Sequence, residues 1–384
     1  MELDREDIPS VQTGIDILTR DGFRLLDGAK IGLITNHTGL TRDGVPTVDL
    51  LDAASNLKMV ALFGPEHGIR GEVDESVPDG TDPATGLPVY SLYGQRHEPT
   101  SEQLAGIDTL IFDIQDIGCR FYTYISTLGH CMTAAAKHKI RFVVLDRPNP
   151  INGVAVEGPL PDESRLGFTA FHSIPIRHGL TVGEMALLMN GERSLNANLI
   201  VVKCEGWSRK DWWDTTGLAW VNPSPNMRSL TQATVYPGVG LLEFTNISVG
   251  RGTDTPFELV GAPWVDHRAW AYLLNERNLP GVRFIPVEFT PRASKFDGEL
   301  CRGINLLLTD RNKFLPVRTG VEMALTLRQL HLEEWQASKY LTLLASRLAM
   351  DGLLAGDEYM DIAKKWSGDL RGFQQVRNQV LLYE

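Results

Sequence analysis

Glu66 stands between Pro65 and His67 in Gly64-Pro65-Glu66-His67-Gly68, a short glycine-flanked segment where a merely solvated carboxylate is out of place. A rigid loop restricts the side chain's orientation, and partial burial there raises a carboxyl pKa toward the range of a general acid. The plainer reading is a turn carboxylate that caps a backbone amide or pairs with Arg70. Three more polar clusters deserve the same comparison: Asn36-His37-Thr38, Asp113-Ile114-Gln115-Asp116, and Asp146-Arg147-Pro148-Asn149-Pro150-Ile151-Asn152-Gly153. Asp113 and Asp116 suit orienting a sugar or tuning Glu66, while Asp116 suits capping the next helix equally well. Tyr122 and Tyr124 could stack on a sugar face, although aromatics at a helix start more often belong to the core. Glu157, in Val156-Glu157-Gly158-Pro159, is the natural second carboxylate, although taken alone it fits a structural role better. Glycosidases generally use two carboxyl groups, roughly 5 to 9.5 Å apart according to mechanism.

Other segments supply hydrogen-bonding groups. Asn222-Pro223-Ser224-Pro225-Asn226-Met227-Arg228 is too proline-rich for a helix or a central strand and reads as a shaped loop. Its amides, with those of Asn36, Asn149, Asn152 and Gln115, suit a polyhydroxylated ligand. In Thr245-Asn246-Ile247-Ser248-Val249-Gly250-Arg251-Gly252-Thr253 an arginine lies between two glycines. That arrangement suits a carboxylate or phosphate, and equally an ordinary loop with a solvated arginine. His37 and His67 invite a metal reading with Glu66, Asp113 or Asp116, but no HExxH or comparable spacing supports it. There is no GxGxxG after a strand, no GxxxxGK[ST] and no GxSxG. Dinucleotide binding, P-loop chemistry and a serine nucleophile elbow are therefore unsupported, and no cofactor or metal is expected.

The elements that position these clusters are short buried strands. Ile31–Thr35, Met59–Phe63, Thr109–Phe112, Phe142–Leu145 and Leu199–Val202 are continuous apolar runs, the pattern of strands covered on both faces. Helices are expected near Thr47–Ala54, Phe121–His138 and Val182–Asn190. Thr181 and Glu184 form a capping box ahead of the last of these. Strand–helix alternation implies an α/β fold with a Rossmann-like, doubly wound parallel sheet. Four of the strands run directly into the polar clusters, which places one crevice at the carboxyl ends of the sheet. The texture changes near residue 260, where a boundary is expected between a domain of residues 1–260 and a smaller α+β domain of residues 261–384. The latter should hold a strand pair, Val282–Phe289 and Gly303–Thr309, and a helix-rich stretch from Gly320 to about Ala363.

Composition narrows the partners. Of 384 residues, 37 are basic and 48 acidic, a net charge of −11 that disfavours nucleic acid or an anionic membrane as the main partner. Four well-separated cysteines without a CxxC fit a reducing compartment. The acidic, apolar-poor segment from Met1 to Leu18 is no secretory signal. It points to the cytoplasm, or to the periplasm or exterior if a leader has been removed.

Five segments together carry a resemblance: GPEHGIRG (64–71), DIQDIGCRFYTY (113–124), LDRPNPINGVAVEGP (145–159), WVNPSPNM (220–227) and TNISVGRGT (245–253). In this order they resemble the exo-acting β-N-acetylmuramidases of the NamZ type. The resemblance runs from about Thr13 to Glu384. It implies a Rossmann-like catalytic domain, a smaller carboxyl-terminal domain and a cleft between them that releases terminal N-acetylmuramic acid from peptidoglycan fragments. It makes Glu66 the leading candidate for the acid and Glu157, or failing that Asp116, its partner. His67 would hold Glu66 or a substrate hydroxyl. Substrate contacts are expected from Asn36, His37, Arg70, Asp113, Gln115, Arg120, Tyr122, Asn149, Asn152, Asn222, Asn226, Asn246 and Arg251.

Two alternatives belong to other classes: a sugar- or muropeptide-binding protein, and a metal-dependent hydrolase using His37, His67, Glu66 and Asp113. Muramic acid carries a lactyl carboxylate that Arg251 or Arg70 would recognise. On this reading Arg251→Ala weakens the preference for muramic acid over glucosamine glycosides, measured as a ratio of kcat/KM values; an unchanged ratio removes Arg251 from that role.

Overall fold

The computed structural model describes residues 11–66, 68–69, 78–94 and 96–384. Its first part is built on α1 (Gly14–Arg20), β1 (Lys30–Thr35), α2 (Thr47–Ala53), β2 (Lys58–Gly64), β3 (Gly80–Thr81), β4 (Pro88–Ser91) and β5 (Thr109–Asp113). It continues through α3 (Tyr124–His138), β6 (Arg141–Leu145), α4 (Val182–Glu192) and β7 (Leu199–Val202). The seven strands form one sheet in the order β3-β4-β2-β1-β5-β6-β7. Every pairing is parallel except that of β3 with β4. Apolar residues on one face pack with Ile15 and Leu18 of α1 and Val48 and Leu51 of α2. Those on the other face pack with α3 and α4. Helices on both faces make the sheet doubly wound, as the continuous apolar strands imply. Neighbouring β2 and β5 lie on opposite sides of β1, so the chain reverses its direction of travel across the sheet there. Such a reversal opens a crevice at the carboxyl ends of the strands.

All five expected strands are present, and α4 carries the capping box between Thr181 and Glu184. The helix expected from Phe121 begins instead at Tyr124. Residues 118–122 are held in irregular backbone because Cys119 bridges to Arg177 and the Arg120 amide donates to the Ile176 carbonyl. Gly118 adopts a φ of +82°, and a Cβ at this position would fall 2.6 Å from Asn149 Oδ1. The approach of these two loops therefore needs glycine.

The chain then forms α5 (Leu230–Val239), β8 (Leu259–Ala262), α6 (His267–Glu276), β9 (Val282–Phe289), β10 (Cys301–Leu308), α7 (Pro316–Leu330), α8 (Leu341–Leu344), α9 (Arg347–Ala355) and α10 (Tyr359–Arg377). A second, antiparallel sheet has the order β8-β10-β9. The expected strand pair is β9 and β10; β8 is a four-residue run that shows no alternation of its own. Among the described residues no helix is long and apolar enough to cross a membrane.

Two long-range ties bind the parts. The segment after α10 returns to the large sheet, where the Tyr383 hydroxyl donates to Asp146 Oδ2 at 2.5 Å and the Leu382 amide donates to Glu184 Oε1 at 2.8 Å. Helices α5 and α7 meet at Gly238 and Gly320. A Cβ on Gly320 would fall 2.4 Å from the Gly238 carbonyl oxygen. Gly320→Val should therefore force the helices apart and lower Tm by at least about 4 °C. The same change at Gly368, which has nothing within 4 Å of its Cβ position, provides the control in a thermal melt.

Candidate active site

The floor of the crevice is an ion pair. Asp113, at the end of β5, is fully buried and takes Arg147 Nε on Oδ1 at 2.6 Å and Arg147 Nη2 on Oδ2 at 3.0 Å. Thr47 at the start of α2 donates to the same Oδ2 at 2.5 Å, and Arg147 Nη2 also reaches the Leu40 carbonyl. The pair thus joins the ends of β5 and β6 to the loop after β1. Both Asp113 oxygens are engaged, so its carboxylate holds the loops together rather than facing a ligand.

Glu66 follows β2 on a short turn. The Gly68 amide donates to the Pro65 carbonyl at 3.0 Å and closes a tight turn, with Gly68 at a φ of +69°. Thr123 is the N-cap residue of α3, but its side chain leaves the helix amides uncapped. Its hydroxyl instead donates to Glu66 Oε2 at 2.5 Å. A hydroxyl can turn and accept when the carboxyl carries a proton, so Thr123 can hold Glu66 in either state.

Around this carboxylate stand neutral polar groups. Burial pushes the Tyr122 and Tyr124 phenols up, with Glu66 among the negative charges adding to the rise for both and Asp116 for Tyr122. Both therefore remain protonated at any working pH. Tyr124 donates to the Pro223 carbonyl at 2.5 Å, and Tyr122 packs edge-on against it at 5.0 Å. Tyr122 is thus partly core, yet its hydroxyl has Glu66 and Asp116 as neighbouring charges. Asn36 is buried, its Oδ1 accepting from the Thr38 amide and hydroxyl. The Thr38 hydroxyl accepts in turn from the Gln115 amide, and Gln115 Nε2 donates to the carbonyls of Asp116 and Pro148. His37 Nε2 contacts the Asn222 carbonyl at 2.6 Å, which brings the 222–226 loop over the crevice.

Asp116 does not cap α3. Its Oδ2 accepts from the Gly118 amide at 2.7 Å, and its Oδ1 is buried without a hydrogen bond among the described residues. Asn36 Nδ2, Gln115 Oε1 and Tyr122 Oη likewise lack a hydrogen bond of good geometry. Four buried polar atoms without a well-formed hydrogen bond, on the two loops that follow β1 and β5, are costly unless a ligand or water meets them.

Other candidates lie elsewhere or are committed to the framework. Glu157 pairs with Arg177 at 3.1 Å and accepts the Val317 amide at the start of α7 at 3.3 Å. Burial pushes its pKa up against the opposing pull of Arg177. Arg120 is buried and donates to four carbonyls, those of Pro159, Ile174, Leu343 and Leu344. It therefore fastens the 118–124 loop to three remote segments. Asn149 binds the Leu180 carbonyl and the Ile151 amide, and Asn152 accepts two amides of its own turn at a φ of +63°. Asn246 is tied to the backbone of Glu334 and Gln336. Arg251 pairs with Glu243 at 2.5 Å and lies over Phe257, and Asn226 is buried in the 222–226 loop. His67 and Arg70 lie outside the described residues. Sequence reasoning passed over Thr123 and His178; the latter has Nε2 3.5 Å from Asp116 Oδ2. No spacing relates residues 116 and 178, whereas Thr123 lies inside a segment already singled out.

A carboxylate on a constrained turn, neutral hydroxyls and amides beside it, and a second carboxylate with an open oxygen are groups suited to the chemistry of a glycoside hydrolase with an α/β fold. Residues 31–231 match the family described as exo-β-N-acetylmuramidase NamZ, N-terminal, and residues 234–383 match its C-terminal counterpart. The chain belongs to that family. It is 44% identical over 382 residues to the peptidoglycan β-N-acetylmuramidase NamZ of Bacillus subtilis (strain 168), covering 98% of this chain and 92% of the relative. Two solved DUF1343 family proteins from Bacteroides fragilis NCTC 9343 share the fold. One has a TM-score of 0.92 at 37% identity, covering 97% of this chain and 99% of the other. The second has a TM-score of 0.79 at 29% identity, covering 98% and 99%.

The grip on Glu66 can be tested directly. Thr123→Val keeps the shape and removes the hydroxyl, and should lower kcat about tenfold with KM changed less than about twofold. Steady-state kinetics on a chromogenic glycoside separates the two parameters.

Proposed function

We propose that this chain hydrolyses the β-glycosidic bond of a terminal, non-reducing N-acetylmuramic acid on peptidoglycan fragments, with Glu66 as acid and Asp116 as the second carboxylate. The substrate class follows the relative's activity on peptidoglycan. The assignment of residues rests on one observation: Tyr122 has both Glu66 and Asp116 as charged neighbours, while Glu157 is enclosed by Arg177 and a helix amide. The sequence favours Glu157 as the second carboxylate; its contacts with Arg177 and the Val317 amide support instead a role in fastening α7 to the 155–158 segment.

In the proposed step Glu66 gives its proton to the glycosidic oxygen as the bond to the anomeric carbon breaks. Water adds to that carbon and its proton passes to Asp116 Oδ1, the oxygen without a partner. Charge at the anomeric centre peaks in the oxocarbenium-like transition state, which the two carboxylates and the neutral hydroxyls surround. The 261–384 part would close the cleft and brace its loops, a role that fits the hold of Arg120 on Leu343 and Leu344.

Release of 4-nitrophenol from the β-N-acetylmuramic acid glycoside tests the reading, with turnover expected to be insensitive to EDTA. Glu66→Gln should cost about 10²- to 10⁴-fold in kcat on a muramic acid disaccharide. The loss should be much smaller on the nitrophenyl glycoside, because nitrophenolate leaves without protonation. Asp116→Asn should cost about as much on both substrates. If Glu157→Gln abolishes turnover and Asp116→Asn spares it, the second carboxylate is Glu157. If the wild type binds a muropeptide without turnover, the protein is a receptor.

A further inference from the structure

We infer that His178 is a positioning residue that holds Asp116 correctly turned through its Nε2–H; this rests on the reading of Asp116 as the second carboxylate. His178 is 1% exposed and Asp116 5% exposed, so the pair is screened from bulk water. The Leu180 amide donates to His178 Nδ1 at 3.2 Å. An Nδ1 that accepts leaves the ring proton of a neutral imidazole on Nε2. That atom stands 3.5 Å from Asp116 Oδ2 and has no hydrogen bond of good geometry to any described residue.

The backbone fixes this approach. Arg177, next to His178, bridges to Cys119 in the Asp116 loop and to Glu157 on its other side. The Arg120 amide donates to the Ile176 carbonyl at 2.8 Å. Residues 116–120 and 176–178 therefore run side by side, and the Leu180 amide on Nδ1 holds the imidazole in this orientation. Asp116 then has two unlike oxygens. Oδ2 accepts the Gly118 amide and faces the imidazole N–H, while Oδ1 is open. Donors gathered on Oδ2 turn Oδ1 toward the reacting water, placed to receive its proton. A contact of 3.5 Å is longer than a good hydrogen bond, and catalytic contacts commonly tighten when substrate binds.

Two substitutions separate this role from a local structural one. In His178→Asn the amide oxygen replaces Nδ1 and can still accept the Leu180 amide, but the side chain is too short to reach Asp116. In His178→Gln the amide nitrogen replaces Nε2 and reaches Asp116, but the Nδ1 acceptor is lost. The proposal expects His178→Asn to lower kcat at least about tenfold with KM within about twofold, and His178→Gln to recover most of that loss. In an Asp116→Asn background, His178→Asn should cost less than about twofold more. The proposal is overturned if Asn retains activity and Gln does not, or if the Asp116 and His178 losses multiply. Thermal melts of both single variants accompany the kinetics: if His178→Asn is unfolded, the decision falls to His178→Gln, which must stay within about tenfold of wild type. Wild-type turnover lost in Asp116→Asn upholds the underlying reading whatever the His178 variants do, so the two can fail separately.

Discussion

The site depends first on the buried pairing of Arg147 with Asp113. It draws together residues from the ends of two adjacent strands and is completed by Thr47 and the Leu40 carbonyl. Taking both charges out of water is expensive, and the fork geometry with its extra hydrogen bonds is what offsets that cost. Removing either partner would leave an uncompensated charge at about 3–5 kcal/mol. The pair's chief effect is on register. The loops bearing Asn36, Gln115 and Asp116 are aimed from a shared floor, so their spacing is set by the sheet rather than by the mobility of each loop.

Above that floor most polar side chains serve the loops themselves. Arg120, Asn149, Asn152 and Asn246 each satisfy backbone groups that a long connection would otherwise bury unpaired. The groups proposed to face a ligand are few: Glu66, the open oxygen of Asp116, the Tyr122 hydroxyl, and the side-chain amides of Asn36 and Gln115. A small set of oriented groups inside a large supporting set is the usual economy of a preorganised site.

The sheet was legible in the sequence because each strand is a continuous apolar run, and a polar cluster follows it at once. That pattern also singled out Glu66, since a carboxylate between Pro65 and His67 on a glycine-flanked loop has little freedom. Individual roles were harder to read. Asp113 and Asp116 sit three residues apart in one cluster, yet one is locked to Arg147 and the other faces His178. Glu157 looked like the partner carboxylate, but Arg177 and the start of α7 enclose it, and nothing near residue 157 announces an amide at residue 317. The late start of α3 has the same origin: propensity favours a helix from Phe121, and contacts with residues 176 and 177 override it. What sequence patterns miss here is long-range pairing, which carries no local signature.

The return of the chain to its first sheet also bears on how the protein is made. Asp146 lies at the mouth of the crevice and receives the hydroxyl of Tyr383, 237 positions later. The Gly153 carbonyl, at the end of the same loop, accepts from Arg377. The sheet itself is encoded by residue 202, so it can assemble early in synthesis from largely sequential pairings. The loop from Asp146 to Gly153 reaches its final hydrogen bonding only after nearly two hundred further residues have been added. Loop closure over such distances is slow compared with local pairing. Maturation of the crevice thereby waits on residues 377–383: a nascent chain would carry a formed sheet well before it carried a competent site.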